Sequence, residues 1–113
     1  MEKKNTIFCD IDGTIFKYRK FDTYKSSPAE PIQSTVEYLR KQHSEGHMII
    51  LTTARPHDML GHTMWELNNH NVPFERLVMG IERGPRYLIN DTDPEKEGKR
   101  AIAVNLIRDQ GFN

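Results

Sequence analysis

The chain has 113 residues, and its sixteen Lys and Arg balance sixteen Asp and Glu to a formal charge of zero at pH 7. A single domain with a modest core is therefore expected over residues 1–113, and no global field draws it to nucleic acid or to an anionic membrane. One cysteine excludes an internal disulfide and suits a reducing compartment, and no apolar run approaches the roughly 18 residues of a membrane span, so a soluble, cytoplasmic protein is expected.

In chain order, Thr6-Ile7-Phe8-Cys9 is an apolar run that breaks off into Asp10-Ile11-Asp12-Gly13-Thr14. It reads as a buried strand with two carboxylates at its carboxyl edge and a glycine for the turn that follows. Residues 16–30 carry no sustained period and read as a loop with a small hairpin. Glu30-Pro31 opens a helix with Ile32, Val36, Leu39 and His43 on one face, and Gly46 stops it. Met48 to Leu51 forms a second strand that ends in Thr52-Thr53-Ala54-Arg55-Pro56. A helix from Pro56 carries Leu60, Met64 and Leu67 inward, Asn71-Val72-Pro73 closes it, and Arg76 to Met79 gives a third strand. Two glycines and a proline lie between Gly80 and Pro85. A fourth strand over 86–90 ends in Asn90-Asp91-Thr92-Asp93-Pro94, and Ala101 to Ile107 reads as a fifth. Strands alternating with helices predict right-handed crossovers: an α/β, Rossmann-like three-layer sandwich with a mainly parallel sheet of about five strands. The polar strand ends would meet along one edge, where open α/β sheets bind ligands.

Residues two apart on a strand face the same way, so Asp10 and Asp12 enter one cleft and repel each other. A hard divalent cation relieves this, and magnesium would fit Asp10, Asp91 and a backbone carbonyl. An ionised Asp10 could then attack phosphorus, while Asp12 protonates the leaving oxygen and later deprotonates water. At the second strand end, Thr53 is preferred over Thr52 as the hydroxyl that binds the phosphoryl oxygens, and Arg55 adds forked donors. Gly13, Thr14 and Ala54 complete the expected phosphate-contact set. Cys9 should face away from Asp10 into the core, Trp65 belongs to the core or a subunit interface, and the five histidines read as structural or solvated.

Asp10-x-Asp12-Gly13-Thr14 after an apolar strand, Thr53-x-Arg55 at a second strand end and Asn90-Asp91 at a later one together resemble the haloacid dehalogenase superfamily of phosphohydrolases, from about Thr6 to Asp93. The resemblance implies Asp10 as nucleophile and metal ligand. It also implies Asp12 as acid/base that coordinates through its main-chain carbonyl, Thr53 as phosphate-binding residue and Asp91 as metal holder. Two departures stand out. Asn90 replaces an acid of the fourth motif, and no lysine lies between Thr53 and Asp91, so Arg83 or Arg86 takes its place. The intervals leave no room for a cap domain, which predicts an open site, a flap over 17–25 bearing Tyr18, Arg19, Phe21 and Tyr24, and a homo-oligomer as cover. The expected activity is hydrolysis of a small-molecule phosphomonoester, sugar phosphates first, through an aspartyl phosphate. Alternatives are a nucleotide or polynucleotide-end phosphatase, although nucleic acid is not a favoured partner, and a catalytically weak phosphate-binding module.

Overall fold

The computed structural model describes residues 3–112, with the side chain of Phe21 outside the description. The apolar run forms β1 (Thr6–Asp10), which pairs in parallel with β2 (Met48–Thr52), and β2 pairs in parallel with β3 (Arg76–Val78), giving the order β1-β2-β3. The register sets Asp10 opposite Thr52 and Thr52 opposite Val78, so the three strands finish abreast. The α/β class and parallel sheet are thus as the sequence indicates.

Two helices make the crossovers, α1 (Gln33–Ser44) and α2 (Leu60–Asn69), the latter entered through a 3-10 turn at His57–Met59. Val36 and Leu39 of α1 and Leu67 of α2 join Ile49, Leu51, Ile11, Ile15 and Phe16 in one buried cluster. Ile49 and Leu51 alternate along β2 and so share a face, which places both helices on that side of the sheet. The opposite face carries Phe8 and Val78, both exposed, so the expected three layers reduce to two among the described residues. Cys9 is partly buried against the core.

Several expectations are corrected. Residues 86–90 and 101–107 form no strand, so among the described residues the sheet has three strands rather than about five. Their apolar composition favours extended backbone, but a strand also needs a partner edge, and the chain does not bring these segments onto one. The region 16–30 is a loop closed at its ends by one antiparallel bridge, Phe16 with Pro31, as a small hairpin would be, and it holds a 3-10 turn at Phe21–Thr23. In α2 the inward residues are Thr63, Glu66 and Leu67, whereas Leu60, Met64 and Trp65 are exposed. Trp65 is therefore no part of the core.

Candidate active site

Where β1 ends, the chain turns sharply. Thr14, Ile15 and Phe16 donate their N–H groups to Ile11 O at 3.2, 2.8 and 3.1 Å, and Gly13 N donates to Phe16 O at 2.7 Å. Gly13 sits at φ +88°, and a Cβ there would stand 3.2 Å from Arg108 Cγ, so the turn requires glycine. The carboxyl-terminal residues pin the loop from outside: Asp109 N donates to Gly13 O at 2.8 Å, and Tyr18 N to Asp109 Oδ1 at 2.7 Å. With their amides spent inside the turn, Gly13 and Thr14 cannot use them on a phosphate. Thr14 keeps its hydroxyl.

That hydroxyl donates to Asp10 Oδ2 at 3.4 Å, and Arg86 Nη2 stands 3.6 Å from Asp10 Oδ1. Arg86 is thus the arginine brought to Asp10; Arg83 is exposed in the loop before it. Asp10's side chain is 41% exposed. Its acidity is nevertheless weakened: burial raises its pKa above the ordinary value, and Arg86 and the Ile11 N–H oppose that rise. Next to it, burial and the Asp10 charge push the Cys9 thiol up to about 12, so this sulfur stays protonated.

Asp12 is held differently. Arg55 Nε donates to its Oδ2 at 2.9 Å and Arg55 Nη2 to its Oδ1 at 2.8 Å, a bidentate pair. The same guanidinium donates through Nη1 to Glu66 Oε1 at 2.8 Å and to Thr63 Oγ1 at 3.0 Å. Glu66 in turn holds Arg19, with Nη2 to Oε1 at 3.0 Å and Nη1 to Oε2 at 2.9 Å. Tyr24 lies with its ring centroid 4.4 Å from the Arg55 guanidinium carbon. Its phenol is pushed up to about 12, first by burial and then by Asp12, which accepts its hydrogen bond. The result is an alternating row Asp12, Arg55, Glu66, Arg19. Burial works against Glu66 ionising, but hydrogen bonds from Arg19 and Arg55 outweigh it and lower its pKa.

This row corrects two expectations. Arg55 is 2% exposed with its fork committed, so it positions Asp12 instead of contacting a phosphate. Thr53 is 1% exposed, and its hydroxyl accepts the Arg55 N–H at 3.1 Å, fixing the turn through Ala54. The threonine beside Asp10, facing the same way, is Thr52. Glu66 was missed altogether. The available signal was a polar inward position, Thr63 followed by Glu66 on α2, downstream of an arginine that needed an acid.

Asp10, Thr14, Thr52, Arg86, Asn90 and Asp93 all line one cavity of about 1250 Å³. These oxygen donors are of the type magnesium takes. The expected set of Asp10, Asp12 and Asp91 does not converge. Asp12, expected to coordinate through its main-chain carbonyl, is untouched by its side chain's pairing with Arg55, but Asp91 is exposed with its Oδ1 3.4 Å from Arg100 Nη1, and no group of three candidate metal-ligating side chains occurs among the described residues. The flap residues Arg19 and Tyr24 pack onto the Arg55 side of the site.

Comparison with known proteins agrees with the geometry at the level of family and fold. The chain is similar over 80% of its length to a structural-genomics target protein from Vibrio cholerae, at 20% identity, with 85% of that chain covered and a TM-score of 0.58. It is also similar over 74% of its length to a chain of the Pnkp1/Rnl/Hen1 complex, at 18% identity and a TM-score of 0.61, and there it spans only 30% of the other chain. No curated protein matches it. Residues 7–76, which include Asp10, Asp12, Thr53 and Arg55, match the family model of haloacid dehalogenase-like hydrolases, and the chain belongs to that family.

Proposed function

We propose that the protein is a phosphomonoester hydrolase working through a covalent aspartyl phosphate, with sugar phosphates as the leading substrates. One observation carries this reading: Asp10 stands half-exposed at the carboxyl end of β1, its two oxygens flanked by the Thr14 hydroxyl and the Arg86 guanidinium, and opens onto a cavity of about 1250 Å³. An Asp10 oxygen attacks phosphorus, the bond to the leaving oxygen breaks, and that oxygen takes a proton from Asp12, whose carboxylate must first turn from Arg55 and pick up that proton from solvent. Water then attacks the aspartyl phosphate and returns a proton to Asp12, which frees phosphate and Asp10. Thr14, Thr52 and Arg86 receive the phosphoryl oxygens as charge shifts onto them. Arg55 and Tyr24 fix the Asp12 carboxylate, with Glu66 fixing Arg55 in turn. Magnesium, held by Asp10 and by Asn90 or Asp93 of the same cavity lining, would neutralise charge between the carboxylate and the phosphate.

The test is magnesium-dependent release of phosphate from a generic aryl phosphate, with Asp10→Asn as control. The substitution is expected to abolish turnover, and trapping should yield a phosphoenzyme only with Asp10 present. Turnover that survives Asp10→Asn would overturn the assignment.

A second reading, a polynucleotide-end phosphatase, is favoured by the cavity's basic lining of Lys3, Lys4, Lys96, Lys99 and Arg100. Preference for a 3'-phosphorylated oligonucleotide over sugar phosphates, steeply reduced by salt, would select it.

A further inference from the structure

When the Asp12 carboxylate turns from Arg55 to take up a proton, it carries a counter-charge away from that arginine. The Arg55 side chain is 1% exposed, against 12% for Asp12 and 2% for Glu66. Of the two acids that hold the guanidinium, only Asp12 reaches solvent, and Glu66 is shut in. Once Asp12 has turned, the guanidinium remains in the interior, where an unpaired charge is strongly destabilising.

The two acids bind different edges of Arg55. Asp12 takes Nε and Nη2, whereas Glu66 takes Nη1, with Thr63 Oγ1 as a second acceptor beside it. Loss of the first edge therefore leaves the second intact. The rest of the arginine is fixed without Asp12: its N–H donates to Thr53 Oγ1 at 3.1 Å, its carbonyl accepts from Gly80 N at 2.8 Å, and the Tyr24 ring lies against the guanidinium. Glu66 is kept ionised by Arg19 as well as Arg55. Arg19 reaches both of its oxygens and also donates to the carbonyls of Tyr24 at 3.2 Å and Ser27 at 2.8 Å, so the loop that carries it is tied down. A fixed Asp12 would be served by Arg55 alone. A second, fully enclosed acid on the same guanidinium suits a site whose first acid moves.

We propose that Glu66 is the counter-ion that lets Arg55 release Asp12, a positioning residue for the proton transfer and not a group that meets the substrate. With Asp12 in place, Arg55 is shared by two carboxylates. With Asp12 turned toward the leaving oxygen, Glu66 and Thr63 keep the guanidinium paired where it stands, ready to take Asp12 back. The role in turnover rests on the phosphatase reading, whereas the coupling of the two acids through Arg55 does not.

The coupling is read without any activity. Asp12→Asn removes the charge that leaves, and its cost in urea unfolding at pH 7 should be small while Glu66 is present. In Glu66→Gln the same substitution leaves Arg55 without a carboxylate, and its cost should be clearly greater. A double variant that does not fold although both single variants do is the extreme of that result. Glu66→Asp, whose shorter side chain withdraws from Arg55, replaces Glu66→Gln should the latter not fold. Costs that simply add, as they do for independent sites, would overturn the proposal.

In turnover, Glu66→Gln should lower kcat/KM about tenfold or more for an alkyl phosphate, whose leaving oxygen needs the Asp12 proton. The loss should be much smaller for dinitrophenyl phosphate, whose leaving oxygen departs unprotonated. Equal losses on both substrates would mark a purely structural role and overturn the release by Glu66. The two ideas fail separately: a greater-than-additive unfolding cost in a protein without turnover sinks only the phosphatase reading, and additive costs in an enzyme that depends on Asp10 sink only the release.

Discussion

At the scale of single residues, the two acids of the first motif differ in what surrounds them. Asp10 is kept partly dehydrated and faces the cavity, whereas Asp12 is gripped by Arg55. The raised pKa of Asp10 means that its ionised form costs the native state stability. That cost is present above the native pKa and vanishes as the pH falls to the unfolded value of 3.8. Asp10→Asn should therefore raise the melting temperature at pH 7 even as it removes activity, and its advantage should shrink on acidification, as scanning calorimetry at stepped pH would show. Glu66 works in the opposite sense. Its pKa is lowered, so its contribution is full above the ordinary value of 4.5 and is lost as the pH falls through the native pKa below that. Glu66→Ala takes from Arg19 its carboxylate partner and leaves Arg55 with Asp12 alone, and should cost about 3–5 kcal/mol in urea unfolding at pH 7. The gap to the unmodified protein should narrow below pH 4.5.

At the scale of elements, the turn after β1 and the inward face of α2 decide where the chemistry sits. Gly13→Ala forces a side chain into a left-handed conformation against Arg108, which should cost about 1–2 kcal/mol and displace Thr14 from Asp10. Phosphate release by a folded Gly13→Ala protein, compared with its unfolding free energy, checks both effects. The α2 face shows how far the sequence could be read at this scale. Its helical spacing was legible, but which stripe turns inward was not, because Leu60 and Met64 are more apolar than Thr63 and Glu66. The pull of a buried arginine on Glu66 overrides the hydrophobic pattern, and that pull exists only once β2 has delivered Arg55. Likewise the choice between Thr52 and Thr53 was not legible: both hydroxyls lie at a strand end, and strand alternation assigns one to Asp10's side and the other to the Arg55 turn.

At the scale of the molecule, the sheet stops at β1 among the described residues, and residues 82–92 make no backbone-to-backbone hydrogen bond there. Amide exchange should follow that contrast, fast over residues 87–90 and slow at Leu51 and its neighbours in β2. Protection over 87–90 equal to that of β2 would contradict the unpaired backbone.

The sequence by itself determined the family, the α/β class and the position of Asp10, because apolar runs that end in short polar motifs constrain the chain locally whatever surrounds them. Only the tertiary structure decided that Arg55 grips Asp12, that Glu66 and Arg19 complete the row, that Arg86 reaches Asp10 and that β1 keeps an open edge. These depend on groups from distant parts of the chain meeting at particular distances and burials. Periodicity registers a residue's preference for a conformation, but not the partner that its charge or its backbone finds.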